Sequence, residues 1–473
     1  MSEQDLMFAP AWQLRDLVAA RQLSPVEVTE LFLRRVEALN PRLNAYLTVA
    51  ADQAIRAARQ AEAAVSAGKR LGPLHGIPIS IKDLTFTKGI RTTRGSLLFQ
   101  DDVPLQDDVA VLRIRRAGAI ILGKTNTPEF GYSGTTENLL GDDCRNPWDP
   151  ACTAGGSSGG AGAALAAGLC PLAQGSDGGG SIRIPSAMCG VYGLKPSQGR
   201  VPRPYQPPGG WGPFSQNGPM ARTVADAALL LQVMAGPHPS DPTSMAQRPP
   251  NFVASLKAVV RGLRFGWSPD LGSAPVDPEV RQRAEQAALV FAELGASVEE
   301  APLALDTERV REVFETVWLS DYAANYGELA TTRGDEMTPA LRESILRARG
   351  WSAAKLATAL RELEWHRARV RAVFQHLDVL LTPTLATTAF PVGRRPRAIG
   401  GQPVDPAWGF TPFTYPINMA GNPAASIPCG FSSQGLPIGL HIIGRRGDET
   451  TVLRASAAFE QARPWAHLHP PVS

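Results

Sequence analysis

Short apolar strands alternate with helical periodicity along this chain, and that alternation constrains the fold more than length or composition does. In Gly76-Ile77-Pro78-Ile79-Ser80-Ile81-Lys82-Asp83 the isoleucines recur at every second residue, with Ser80 and Lys82 on the opposite face. Further short apolar runs follow at Ala119-Ile120-Ile121-Leu122, Leu263-Arg264-Phe265-Gly266, Val379-Leu380-Leu381 and Ile438-Gly439-Leu440-His441-Ile442-Ile443. Helical patterns separate them. Ser24-Pro25-Val26-Glu27 has the order of a capping box with proline in the first turn, and Val28, Phe32, Val36 and Leu39 then share one face until Asn40-Pro41, where the helix is expected to stop. A second, Ala-rich helix is expected over 50–67, closed by Gly68. Such alternation predicts an α/β fold: a central, mostly parallel or mixed, twisted sheet covered by helices on both faces.

Residues 305–376 read almost entirely as helix, which predicts a helical flank or insertion within a single domain spanning 1–473. Segments 197–220 and 383–412 are rich in Pro and Gly and carry Trp211, Phe214, Trp408 and Phe410; long loops of this kind are candidate pocket walls. With 44% hydrophobic and 19% charged residues, the chain of 473 can bury a large core, and a net charge of +3 leaves no basic footprint for nucleic acid. The start, MSEQDLMFAPAWQLRD, carries acids where a signal peptide has a basic patch and an apolar stretch. No apolar run approaches the roughly 20 residues of a membrane span. These features predict a cytoplasmic protein with no membrane or nucleic-acid partner, monomeric or homodimeric. Cys144, Cys152, Cys170, Cys189 and Cys429 are odd in number and lack CxxC spacing, so reduced thiols are expected, with no metal site and no cofactor.

The chemistry concentrates in two glycine-wrapped serine blocks, Thr153-Ala154-Gly155-Gly156-Ser157-Ser158-Gly159-Gly160 and Gly175-Ser176-Asp177-Gly178-Gly179-Gly180-Ser181-Ile182-Arg183-Ile184-Pro185. Glycine costs about 0.5–1 kcal/mol per residue in regular structure relative to alanine, so such clusters imply close backbone approach or unusual dihedrals. Successive N–H groups of Gly178, Gly179, Gly180 and Ser181 are candidates to converge on an oxyanion, with the Ser181 hydroxyl beside them as nucleophile. A serine needs a base, and none of the 7 histidines lies near these blocks in sequence. A lysine serves if burial removes its charge, which singles out Lys82, with Ser157 relaying the proton.

These residues together resemble the amidase signature family. The strand ending in Lys82-Asp83, both serine blocks, Gly190-Val191-Tyr192-Gly193-Leu194-Lys195-Pro196, Gly218-Pro219-Met220-Ala221-Arg222-Thr223-Val224-Ala225-Asp226 and Leu436-Pro437-Ile438-Gly439-Leu440 carry the likeness over nearly the whole chain. The resemblance implies an amidase signature fold and cleavage of a linear carboxamide C–N bond, with a small-molecule amide and water as the reacting partners. It implies Lys82 as catalytic base, Ser157 as bridging serine on a cis peptide bond, Ser181 as acyl-forming nucleophile and Gly178 to Ser181 as oxyanion hole. Ser158, Asp177 and Arg183 resemble residues that hold the loops. Ala154 departs from the proline the family often has before its paired glycines.

Other readings stay open. Gly155-Gly156-Ser157-Ser158-Gly159 also fits the nucleophile elbow of an α/β-hydrolase esterase, with Ser157 as nucleophile and His376 or His441 recruited. A phosphate-cradling loop lacks the G-x-x-x-x-G-K-[ST] pattern at either block, and Ser66-Ala67-Gly68-Lys69 matches S-x-x-K without its companion motifs. Some family members work inside larger assemblies, releasing ammonia from glutamine for amidation of a charged transfer RNA. Candidate substrate contacts are Phe130, Tyr132, Trp211 and Phe214, with the helical residues Trp318 and Tyr322. Their aromatic character favours a neutral, partly apolar or aryl amide, with aryl acylamidase-like or urethanase-like action on carbamates or esters as extensions.

Overall fold

The computed structural model describes residues 1–204, 212 and 214–472. Its centre is a sheet of eleven strands. In chain order these are β1 (Tyr46–Val49), β2 (Pro78–Lys82), β3 (Ile120–Thr125), β4 (Leu172–Asp177), β5 (Tyr192–Lys195), β6 (Gln216–Ala221), β7 (Arg264–Trp267), β8 (Ser297–Glu300) and β9 (Val379–Pro383). After a separate small hairpin, β10 (Ala398–Ile399) and β11 (Gln402–Pro403), come β12 (Ala424–Phe431) and β13 (Pro437–Gly444). The spatial order is β1-β3-β2-β4-β6-β5-β12-β13-β9-β7-β8. Of the two forms anticipated, the sheet is mixed: β2 runs parallel to β3 and β4, and β7 to β8 and β9, while β4, β6, β5, β12, β13 and β9 pair antiparallel in succession.

Strand alternation builds a core on each face. Val379 and Leu381 of β9, with Leu440 and Ile442 of β13, join one hydrophobic cluster, while Leu380 and Ile443 join the other. Helices Thr307–Thr332, Pro339–Arg349 and Ala353–Val373 occupy most of the expected helical segment 305–376 and supply much of the second cluster. Among the described residues no helix is long and apolar enough to cross a membrane.

Two local expectations are corrected. The capping box at Ser24 forms, with the Val26 N–H donating to its hydroxyl at 3.0 Å and the Ser24 N–H to Glu27 Oε2 at 3.2 Å, but the helix runs on through Pro41 to Leu43. Pro41 forfeits one bond of the helix ladder without ending it, and Asn44, left-handed at φ 46°, closes the helix by donating its N–H to Asn40 O at 2.7 Å. The second correction is β6, which takes up the end of the segment 197–220 expected to be loop and runs one residue past it. Gly218-Pro219 reads locally as a turn, yet a Cβ on Gly218 would stand 2.3 Å from Leu194 O, so glycine is what lets this strand lie against its neighbour.

Candidate active site

Parallel neighbours β2 and β4 end side by side, so Lys82 and Asp177 emerge at the same edge, where α/β sheets commonly bind ligands. Lys82 is fully buried. Its Nζ lies 2.6 Å from Ser157 Oγ and donates to Ser176 O at 3.2 Å, while its N–H donates to Gln174 Oε1 at 3.3 Å. Burial pushes this amine well below the ordinary lysine range; the Asp177 carboxylate opposes the shift and the Arg203 guanidinium adds to it.

Ser157 follows a cis peptide bond after Gly156 and precedes helix Gly159–Ala166. The glycines here are explained by contact: a Cβ on Gly156 would stand 2.6 Å from Thr135 O, and one on Gly160 2.3 Å from both Ala45 O and Asn126 N. The Ser158 N–H donates to Ser181 O at 3.0 Å and its hydroxyl to Ser176 O at 3.2 Å, which ties the first serine block to the second. Ser157 and Ser181 line the same cavity.

Behind Ser181 the loop hangs on a buried ion pair. Asp177 accepts from Arg183 Nε at 2.9 Å and Nη2 at 3.0 Å, from the Ile182 N–H at 3.1 Å and from Asn418 Nδ2 at 2.8 Å. Burial alone raises this carboxyl, but the Arg183 guanidinium overrides it and holds Asp177 well below the usual carboxylate range. Asn418 also accepts from Arg183, and His441 Nε2 faces Arg183 Nη1 at 3.0 Å. Burial first, and Arg183 second, keep His441 neutral, so Nε2 accepts and Nδ1 donates to Thr382 Oγ1 at 3.3 Å. That imidazole is committed to positioning Arg183, and His376 is exposed, so neither histidine that the elbow reading would recruit stands as a free base beside Ser157.

One of the candidate oxyanion donors is already engaged. The Gly180 N–H donates to Asp177 Oδ1 at 2.8 Å, while Thr414 Oγ1 donates to Gly179 O at 2.7 Å, so the peptide between Gly179 and Gly180 is held at both ends. The Gly180 N–H is thereby spent on Asp177, and the N–H groups of Gly178, Gly179 and Ser181 remain the candidates. The identity of Gly180 is fixed by φ 134° and by Thr414, whose Oγ1 would stand 2.4 Å from an added Cβ.

Of the proposed substrate contacts, Phe130 lines the cavity. Phe214 is buried and stacks on Phe314 at 5.5 Å, and Tyr132 shares a hydrogen bond with Ser344 Oγ at 2.9 Å and packs edge-on against Trp318; both are packing residues here. Trp211 lies outside the described residues. Trp318 and Tyr322 are core, but Tyr326, the next step of the same i, i+4 ladder, reaches the cavity and stacks on Phe130 at 4.1 Å and 9°. Extending the 318, 322 spacing by one turn would have found it. Sequence reasoning also missed charged lining: Arg94, Asp108, Arg203, Asp241 and Asp321 border the cavity beside its aromatic rings. Burial pushes Asp108 up to about 6.

The amidase family profile matches residues 27–453. An acylamidase of Rhodococcus erythropolis is 41% identical, over 99% of this chain and 98% of its own. A component chain of the glutamyl-tRNA(Gln) amidotransferase of Moorella thermoacetica is 39% identical, over 98% of this chain and 99% of its own. Among solved structures, a bacterial aryl acylamidase superposes with TM-score 0.92 at 34% identity, covering 97% of both chains. A 6-aminohexanoate cyclic dimer hydrolase does so with TM-score 0.87 at 30% identity, covering 98% of this chain and 99% of that one.

Proposed function

Starting from a chain that belongs to the amidase signature family and is an amide-cleaving hydrolase, we propose that it works through an acyl-Ser181 intermediate, with Lys82 as base and Ser157 as relay. The observation that carries this reading is the fully buried Lys82 amine, 2.6 Å from a serine hydroxyl that shares a cavity with Ser181. A neutral amine has a lone pair to accept a proton. As Ser181 Oγ attacks the carbonyl carbon, its proton passes to Ser157 Oγ, and the Ser157 proton passes to Lys82 Nζ. The tetrahedral oxyanion forms beside the N–H groups of Gly178, Gly179 and Ser181, where such donors are each worth about 3–4 kcal/mol of transition-state stabilisation. When the C–N bond breaks, the same relay returns the proton to the leaving nitrogen, and water then repeats the cycle on the acyl-enzyme.

The aromatic part of the cavity supports an aryl or otherwise flat amide, in line with the acylamidase relatives. Carbamates and esters offer the same carbonyl to the same donors. Charged lining moderates the purely neutral picture. The test is to react the protein with a fluorophosphonate and map the adduct by mass spectrometry. Labelling of Ser181, and loss of anilide hydrolysis by about a million-fold in Ser181→Ala, is the expected outcome. An adduct on Ser157 instead would restore the elbow reading.

A second reading is favoured by one finding, the glutamyl-tRNA(Gln) amidotransferase relatives that align along nearly the full length. In that role the substrate is glutamine. A chain that releases ammonia from glutamine at a rate comparable to its best anilide takes this second reading.

A further inference from the structure

The wall of the cavity that the serine blocks also line contains two non-glycine residues in left-handed backbone, Arg94 at φ 59° and Phe130 at φ 51°. L residues with bulky side chains rarely adopt this region, and where a fold holds them there the surrounding bonds over-determine it. Those bonds are visible. The Arg94 N–H donates to Asp83 O at 3.2 Å, the Phe130 N–H donates to Arg94 O at 2.8 Å, and the Tyr322 hydroxyl donates to Phe130 O at 2.6 Å. Asp83 directly follows Lys82, so the wall is tied to the strand that carries the base.

The Arg94 guanidinium is more than nine-tenths buried. Its Cζ lies 3.8 Å over the Phe99 ring and 4.9 Å from the Phe86 ring, and Nη2 donates to Asp102 Oδ2 at 2.7 Å. Nε and Nη1 have no acceptor among the described residues. Guanidinium donors are rarely left without an acceptor in a protein interior, because their desolvation is then uncompensated. Phe86, the ring farther from the guanidinium, lines the cavity together with Arg94.

Resting on the reading of the site as an amide hydrolase, we propose that Arg94 is a specificity-determining residue: it donates Nε–H and Nη1–H to an oxygen acceptor borne by the aromatic part of the substrate, whose ring packs along Phe130 and Tyr326. The substrate class is an aryl amide with a carboxylate, nitro or carbonyl oxygen on its ring. Arginine suits this task because its fork of donors matches two-oxygen acceptors.

The test uses acetanilides carrying 4-isopropyl, 4-nitro or 4-carboxy groups, which are near-isosteric, and compares wild type with Arg94→Met and Arg94→Lys. Intrinsic leaving-group reactivity cancels when each variant is divided by wild type. The expected result is a fall of about tenfold or more in kcat/KM for the nitro and carboxy substrates in Arg94→Met, against less than about twofold for the isopropyl one. Arg94→Lys recovers part of the carboxy rate. Equal losses on all three substrates would reduce Arg94 to a packing role and overturn the proposal. Wild-type product inhibition gives an arm independent of mutation: 4-aminobenzoate binding no more tightly than 4-isopropylaniline also overturns it. Wild type that hydrolyses none of the three, while Ser181 still labels, removes the aryl amide reading and this inference with it; failure of Ser181 to label removes the acyl-enzyme reading on separate grounds.

Discussion

Two neighbouring strand ends each bury a lysine, and what surrounds the two amines separates the proposed base from a brace. Lys124, on β3 beside β2, spends its donors on Thr85 O, Thr87 Oγ1 and Thr92 Oγ1, the last two at 3.0 and 2.8 Å. Burial lowers it to about 8, with the carboxylates of Asp83 and Asp108 opposing the fall. It therefore remains largely charged at neutral pH and holds the turn after Lys82. Lys82 has a serine hydroxyl and one carbonyl, Asp177 is already neutralised by Arg183, and burial prevails, so its amine is pushed well below the ordinary lysine range. Identical side chains a strand apart thus meet different surroundings, fixed acceptors for Lys124 and a serine hydroxyl for Lys82, where the proposed relay would begin.

The comparison breaks most sharply at Lys82→Met. Hydrolysis of any amide substrate should fall by about 10,000-fold or more, since a general base in the reacting path is removed. Stability should hold or rise. The folded value of Lys82 lies below the ordinary 10.5, so protonation is penalised in the folded chain, and wild-type stability climbs as pH rises from that lowered value toward 10.5. Urea unfolding across pH should show the Lys82→Met chain lacking this climb, and the wild-type kcat/KM profile should rise with pH to a plateau reached well under 10.5. A flat wild-type profile, or a variant with retained rate, would put the base elsewhere.

Lys124→Met is the converse. It leaves buried hydroxyls, a carbonyl and Asp83 without their cation, a loss of about 3–5 kcal/mol in urea unfolding, while Ser181 labelling per folded molecule persists. If stability were unchanged and labelling abolished, the roles of the two lysines would have to be exchanged. The smallest expected effect is at Thr414→Val, which frees the Gly179 carbonyl. A loss of about 1 kcal/mol, roughly fivefold in kcat with KM little altered, is expected from a loosened oxyanion loop.

Much of the site was legible because its residues obey short-range rules. The 2-residue alternation put Lys82 at a strand end, and glycines that would be costly anywhere else marked the serine blocks as places of close backbone approach. Residues acting through tertiary contact gave no such signal. Asn418 and His441 reach Arg183 from the far half of the chain, across |i−j| of 235 and 258, and nothing near either position announces it. Tyr132 packs against Ser344 and Trp318 and Phe214 against Phe314 for the same reason: aromatic side chains in loops fill cores and cavities alike, and only packing decides which. The strand Gln216–Ala221 was hidden because Gly-Pro signals a turn locally, while its two partner strands impose extension.

Sequence by itself determined the α/β class through periodicity, a local constraint that survives without coordinates, and the family through its motifs, and it named the candidate lysine and serines. Tertiary structure alone decided the different surroundings of Lys82 and Lys124, the diversion of the Gly180 N–H to Asp177, and the charged wall at Arg94. Each of these depends on how far a group is taken from water and which distant partner meets it there, and no local pattern records either.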